Sequence, residues 1–197
     1  MPEIFTKKNI TILLTVLFLG AVIYISFGFL PVLKVEGTSV SYSEFQKVYG
    51  AIGSFDKISR KPDPAGGGGN SAAPEEMKKM ALESIIESRL LDELIKEANP
   101  ELAKKAEEIL QKTLLENKNL SLDEASKILY GISAADFQKL VLLPQAKKDA
   151  LTDYYESNPE RLADLWTALL KSAKVQIYYP GFYWENGEVH PVRDSSR

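Results

Sequence analysis

"PVLKVEGTSVSYSEFQKV", residues 31–48, follows at once on a long apolar run and carries the signals needed to start a folded domain. Val32, Leu33, Lys34 and Val35 read as a short strand, and Gly37 marks the turn that ends it. Ser41 is followed three residues later by Glu44, the spacing of a capping box. In that arrangement the serine hydroxyl accepts from the Glu44 amide while the Glu44 side chain reaches back. Val40 and Phe45 flank the cap as a hydrophobic staple. Phe45, Val48, Tyr49, Ile52 and Phe55 then recur at helical spacing and give the helix one apolar stripe.

Upstream, Ile10 to Leu30 reads "ITILLTVLFLGAVIYISFGFL", without a charged residue. A helix of that length spans about 31 Å, close to the hydrocarbon thickness of a bilayer. Lys7 and Lys8 precede it, so the positive-inside rule places residues 1–9 in the cytoplasm and the remainder outside. A cleaved signal peptide has a shorter apolar core and a small-x-small site after it; "PVLKVEG" offers none, so an uncleaved signal anchor over 10–30 is expected. A buried core helix is the other alternative, and it is seldom apolar on every face for so long.

The 197 residues, 45% hydrophobic with a formal net charge of -3, suit one domain plus this appendage. Nucleic acid is not an expected partner, because clustered Lys and Arg are missing. There is no cysteine, hence neither a disulfide nor a thiolate metal site. His190 is the only histidine and falls in what reads as a polar tail, 185–197, where an exposed, unengaged side chain is expected. One histidine leaves a zinc site or a Ser-His-Asp triad short of parts. Glu107 and Glu108 fall on solvated helix strips, and nothing marks Lys171-Ser172 as more than surface. No catalytic, metal or cofactor-binding residue is therefore expected.

Between the first helix and Pro74 lies "KISRKPDPAGGGGNSAAPEE", whose prolines and four glycines read as a flexible loop over 60–73. A phosphate-binding loop would need a preceding strand and a Gly-Lys-Ser/Thr ending. From Pro74 the chain reads as helical for about a hundred residues. The helix to Ala98 carries Met77, Ala81, Leu91 and Ile95 along one side and Leu82, Ile86 and Leu90 along the other. Glu83, Glu87, Arg89, Asp92 and Glu93 fall between, so this helix is expected at the centre of the domain. Asn99-Pro100-Glu101 restarts the chain, with Leu102, Ala106, Ile109, Leu110 and Leu114 as the buried stripe. Ser121 and Glu124 form a second capping box, and Gly131 closes the short helix. Ser133 caps a run through Phe137, Leu140, Val141, Leu151, Tyr154 and Tyr155, with Pro144 expected to kink it. Asn158-Pro159-Glu160 opens a last helix with Leu162, Leu165, Trp166, Leu169 and Leu170.

The period changes at Lys174: Val175, Ile177 and Tyr179 share one face of a strand. "WENGEV" adds an Asn-Gly pair, the favoured two-residue hairpin turn. A lone strand is unstable, so the first and last strands are expected to pair. Tyr178, Tyr179, Phe182, Tyr183 and Trp184 stand out here and admit three accounts. They are core residues of the closing strand, or a sticky surface for apolar segments of unfolded chains, or interface aromatics close to the bilayer.

The order of these signals resembles the SurA N-terminal domain shared with PrsA-like foldases of bacterial envelopes. The matching stretches are "VEGTSVSYSEF" (35–45), "ALESIIESRLLDELIKEA" (81–98), "GISAADFQKLVL" (131–142) and "SAKVQIYY" (172–179), across roughly 32–180. The resemblance implies a mainly α fold: a transmembrane helix, then a SurA N-like helical domain over 31–184, closed by pairing of its N- and C-terminal strands. It further implies a membrane-anchored, extracytoplasmic chaperone-like holdase whose partners are unfolded or newly exported polypeptides and the lipid bilayer. The family often has "VNGE" where this chain has "VEGT", and the Gly-rich insert is extra. Its members usually continue into a parvulin-type prolyl isomerase domain, for which "ENGEVHPVRDSSR" is too short, so isomerase activity is not expected. The rival readings are a tethered adaptor for one envelope partner and the partner subunit of a separate isomerase chain. A POTRA-type component would need several strands after its helices, against the helical stretch 74–173.

Overall fold

The computed structural model describes residues 30–59, 72–119 and 121–192. Lys7, Lys8, nearly all of the apolar run 10–30 and residues 60–71 of the expected loop lie outside them. Among the described residues no helix is long and apolar enough to cross a membrane. The fold is mainly helical with two small antiparallel sheets.

The chain enters through β1 (Pro31–Val35) and turns into β2 (Thr38–Ser41), a strand not expected from the sequence. The turn is Glu36-Gly37, both at positive φ (45° and 84°), the two-residue geometry that matches strand twist. Glu36 tolerates this conformation while bound at both ends. Its amide donates to the Lys174 carbonyl (3.1 Å), and its carboxylate accepts from the Lys174 amide (2.7 Å). These bonds seat the turn beside β3 (Val175–Ile177), which pairs antiparallel with β1 as Leu33 with Ile177 and Val35 with Val175. The expected pairing of residues 32–35 with the strand that begins at Val175 is thus present, with β1 in the middle of the order β2-β1-β3, although a further hairpin follows β3.

Ser41 ends β2 and caps α1 (Tyr42–Ser59), its Oγ accepting from the Glu44 amide at 3.2 Å. Glu44 turns its carboxylate to Arg89, whose Nη2 donates at 2.7 Å, and so ties the start of α1 to the central helix. That helix is α2 (Pro74–Ala98), with Pro74 in its first turn and Glu75 and Glu76 beside it. Its apolar residues divide along its length, where the sequence reading divided them by side. Ala81, Leu82, Ile85, Ile86 and Leu90 join a cluster with β1, β2, Phe45 and Val48. Leu91, Leu94 and Ile95 join another with Leu102, Leu151 and Tyr155. The reason is that the helix passes from beneath the sheet into a helical bundle, so its burial partners change part-way down.

α3 (Glu101–Glu116) starts where Asn99 Oδ1 accepts from the Glu101 amide (3.0 Å). It packs on α6 (Leu143–Tyr154) through Leu110 and the small residues Ala106, Ala146 and Ala150, which let the helices approach. α4 (Leu122–Tyr130) is capped by Ser121 and closed by Gly131 in the left-handed region (φ 66°). α5 (Ala134–Phe137) is capped by Ser133 and leads into a π turn over Gln138–Leu142. Here lies the expected disturbance from Pro144: its ring cannot coexist with a regular ladder to the preceding turn, and the Leu143 amide reaches back to the Gln138 carbonyl. α7 (Pro159–Ser172) is capped by Asn158, whose Oδ1 accepts from the Arg161 amide (3.1 Å).

The Asn-Gly hairpin forms as expected. β4 (Phe182–Glu185) and β5 (Glu188–Pro191) are joined through Asn186 (φ 52°) and Gly187 (φ 90°). The polar tail expected from residue 185 is corrected over 185–192. Val189 is fully buried in the cluster under the sheet, because the hairpin folds back and lays β5 on α2. His190 is correspondingly engaged: its ring stacks on Tyr183 (5.4 Å) and its Nε2 lies 3.3 Å from the Glu185 carbonyl.

Candidate functional site

The expected aromatic group over 178–184 does not act as one surface. Phe182 is buried in the core, while Tyr179 and Trp184 pack against it from partly covered positions. Tyr178 and Tyr183 point outward. Alternation along the strands separates them, as period-2 geometry requires. Tyr183 faces His190 across the hairpin, and Tyr178 Oη donates to Gln176 Oε1 at 2.9 Å. Tyr179 packs tilted against Phe45 (4.8 Å, 40° between planes) and lies under the Lys78 ammonium (5.9 Å to the ring centroid). Lys78 is held protonated above its usual range, first by its hydrogen bond to Glu75.

A more continuous apolar surface lies at the far end of α1. A groove of 340 Å³ opens between α1, α2, α4 and the π turn. Val48, Ala51, Ile52 and Phe55 supply one wall, Met80 and Ser84 the second, and Tyr130, Leu140 and Val141 the third. Val48 and Ala51 form a buried floor, whereas Phe55 and Met80 stand at the mouth, 44% and 45% exposed. Phe55 stacks flat on Tyr130 (5.2 Å, 10° between planes), and Tyr130 leans on Phe137 (4.9 Å). This aromatic row stiffens the rim without closing it. The polar atoms of the wall belong to Asp56, Ser59 and Ser84, and Asp56 Oδ2 accepts from the Ala72 amide (3.4 Å) at the rim.

The sequence shows Val48, Ile52 and Phe55 of the α1 wall as part of one apolar helical stripe, and a client-binding groove between helices is expected from it without its lining residues being named. Met80, Tyr130, Leu140 and Val141 were not singled out together, because they meet only through the tertiary fold. Their signal was indirect: the α1 stripe extends past Ile52 to Phe55, and further than the sheet it covers.

A larger groove of 510 Å³ between α2, α6 and α7 is lined by Leu91, Leu94, Leu151, Leu162 and Trp166. Glu87 and Lys148, paired at 3.5 Å, and Thr152 make its wall far more polar, which favours water over an apolar segment. Elsewhere Asp136 carries an acidic shift. The Lys47 ammonium at 2.7 Å holds its carboxyl below the usual range, partial burial opposes this, and the Ser133 hydroxyl adds to it. Glu107, Glu108, Lys171 and Ser172 are exposed. The Ser172 hydroxyl is directed to the carbonyls of Ala168 and Leu169 (2.9 and 3.3 Å). Among the described residues no three His, Asp or Glu side chains converge as a metal site would require. No protein-family model, curated protein or solved structure matches the chain.

Proposed function

We propose that the chain is a membrane-anchored, extracytoplasmic holdase of the SurA N-terminal type, binding non-native polypeptides in the groove between α1, α2 and α4. The observation that carries the reading is the groove's composition: a mostly apolar trough among the described residues, with Phe55 and Met80 exposed at its mouth. Such a surface gains from covering apolar side chains of a client, at roughly 25 cal/mol per Å² removed from water. Methionine at the mouth suits varied clients, since its unbranched thioether adapts to different shapes. The resemblance in motif order and the pairing of β1 with β3, distant in the chain, support the same reading. A signal anchor over 10–30, with residues 1–9 cytoplasmic, would hold the groove near emerging chains and raise its effective concentration for them.

The test uses the full-length chain in lipid nanodiscs, with light scattering from several unrelated proteins diluted out of denaturant. Suppression across all of them is expected. The double variant Phe55→Lys/Met80→Lys charges the mouth while leaving the buried floor intact, and should raise the amount needed by at least about tenfold, the equivalent of some 1.4 kcal/mol of binding. Suppression of one protein alone would instead identify a dedicated adaptor. No suppression of any would overturn the proposal.

A further inference from the structure

A second exposed apolar patch lies where the chain enters the fold. Leu30, Pro31, Tyr42, Tyr178, Tyr179 and Pro180 border a shallow hollow of 300 Å³. Leu30, Tyr42 and Tyr178 are 46%, 42% and 51% exposed, so the other described residues leave the patch uncovered. Its parts come from three places in the sequence and are bolted together by backbone hydrogen bonds. The Tyr42 amide donates to the Leu30 carbonyl (2.8 Å). The amides of Tyr178 and Tyr179 both donate to the Val32 carbonyl (2.7 and 3.0 Å), which continues the β1–β3 ladder one rung beyond Ile177.

Leu30 is also the last residue of the 10–30 run expected to be the membrane anchor. Both outward tyrosines are therefore fixed to residues at, or two beyond, the end of that run. One residue of extended chain reaches at most about 3.6 Å, and the interfacial layer of a bilayer is some 5–7 Å deep on each side. The patch accordingly lies within the reach of the headgroups whenever the run spans a membrane. Its chemistry fits that layer: tyrosine rings are apolar in body and polar at the hydroxyl, which is why they gather at membrane interfaces.

We infer that the Leu30–Tyr42–Tyr178 patch is a seat for the headgroup layer of the bilayer, pinning the domain in one orientation on the membrane that its own N-terminal run crosses. The inference rests on the anchored part of the reading above and is independent of the holdase part. It also sets the position of the groove. Phe55 lies thirteen residues after Tyr42 on α1, about 20 Å along the helix axis, so the groove and the seat occupy opposite ends of one rigid rod.

The chain has no cysteine, which allows single thiols to be labelled without background. Ser43→Cys places a fluorophore on the exposed position beside Tyr42, and Leu115→Cys places one on α3, at a side chain 69% exposed. Each full-length variant is reconstituted in phosphatidylcholine nanodiscs containing lipid with a headgroup nitroxide. Quenching several-fold stronger at position 43 than at 115 is expected, falling towards the level at 115 when Tyr42→Ser/Tyr178→Ser is added. An unchanged signal in that double variant overturns the seat, since tethering alone would then explain proximity. Equal quenching at both positions overturns it as well. So does a dye response at 43 to an unfolded client with none to lipid, which would make the patch a peptide site. A chain that fails to enter nanodiscs removes anchor and seat together, whereas strong quenching without suppression of aggregation leaves the seat standing and removes the holdase. Unchanged circular dichroism of the double variant is the folding control, and its exposed positions make that the expected result.

Discussion

Ser41 is the last residue of β2, and its hydroxyl satisfies the Glu44 amide of the first turn of α1. Ser41→Ala should cost about 1 kcal/mol, as loss of an N-cap does, measured by denaturant unfolding of the full chain. The Glu44 carboxylate is committed to Arg89, so the reciprocal half of the capping box gives way to a tertiary ion pair. Glu36 shows a similar trade. A non-glycine residue at φ 45° is strained, and the bonds to Lys174 hold it there. The Lys47 ammonium beside Asp136 holds its carboxyl below the usual range. Because its folded carboxyl binds a proton less readily than the ordinary 3.8, its pairing with Lys47 stabilises the fold fully above that value and is lost as pH falls through the lowered one. Asp136→Asn should therefore lower the unfolding midpoint near neutrality, with the difference from the parent shrinking as pH falls below the ordinary 3.8 and vanishing only below the lowered folded value. A difference that persisted into strong acid would place the effect in packing.

Elements announced by their own residues were the legible ones. The serine caps of α1, α4 and α5, the proline starts of α2 and α7, and the Asn186-Gly187 turn each depend on a few adjacent side chains. What depends on distant partners was not legible. β2 is four residues long and alternates too briefly to separate from a turn, and only its pairing with β1 defines it. β5 carries a single large apolar side chain facing the core, so residues after 184 read as tail until α2 covers Val189. The groove needs three helices and a π turn to meet, and no one stretch of sequence contains it. The hairpin supplies its own test: Val189→Ala should cost about 2 kcal/mol as a core truncation. Val192→Ala, at an exposed position, should cost almost nothing. Equal costs would mean the hairpin does not close on α2.

Over the whole molecule α2 is the shared element, contributing side chains both to the cluster under the sheet and to the cluster among α3, α6 and α7. Two clusters joined by one continuous helix should melt together. Leu82→Ala in the first and Leu151→Ala in the second, both fully buried, should each cost about 2–5 kcal/mol. Both should shift one common transition in calorimetry, and two separated transitions would show that α2 does not couple them. The β1–β3 pairing has a further consequence, which concerns time. Leu33 meets Ile177, 144 positions later in the chain. At about 5–20 residues per second of synthesis, that partner arrives some 7–29 s after Leu33 is made. β2 can cover one side of β1 at once through a two-residue turn, but the other edge waits, its amides and carbonyls unpaired. Closure is thus the slow, long-range step of folding, and until it happens the nascent domain is itself an open-edged strand awaiting a partner.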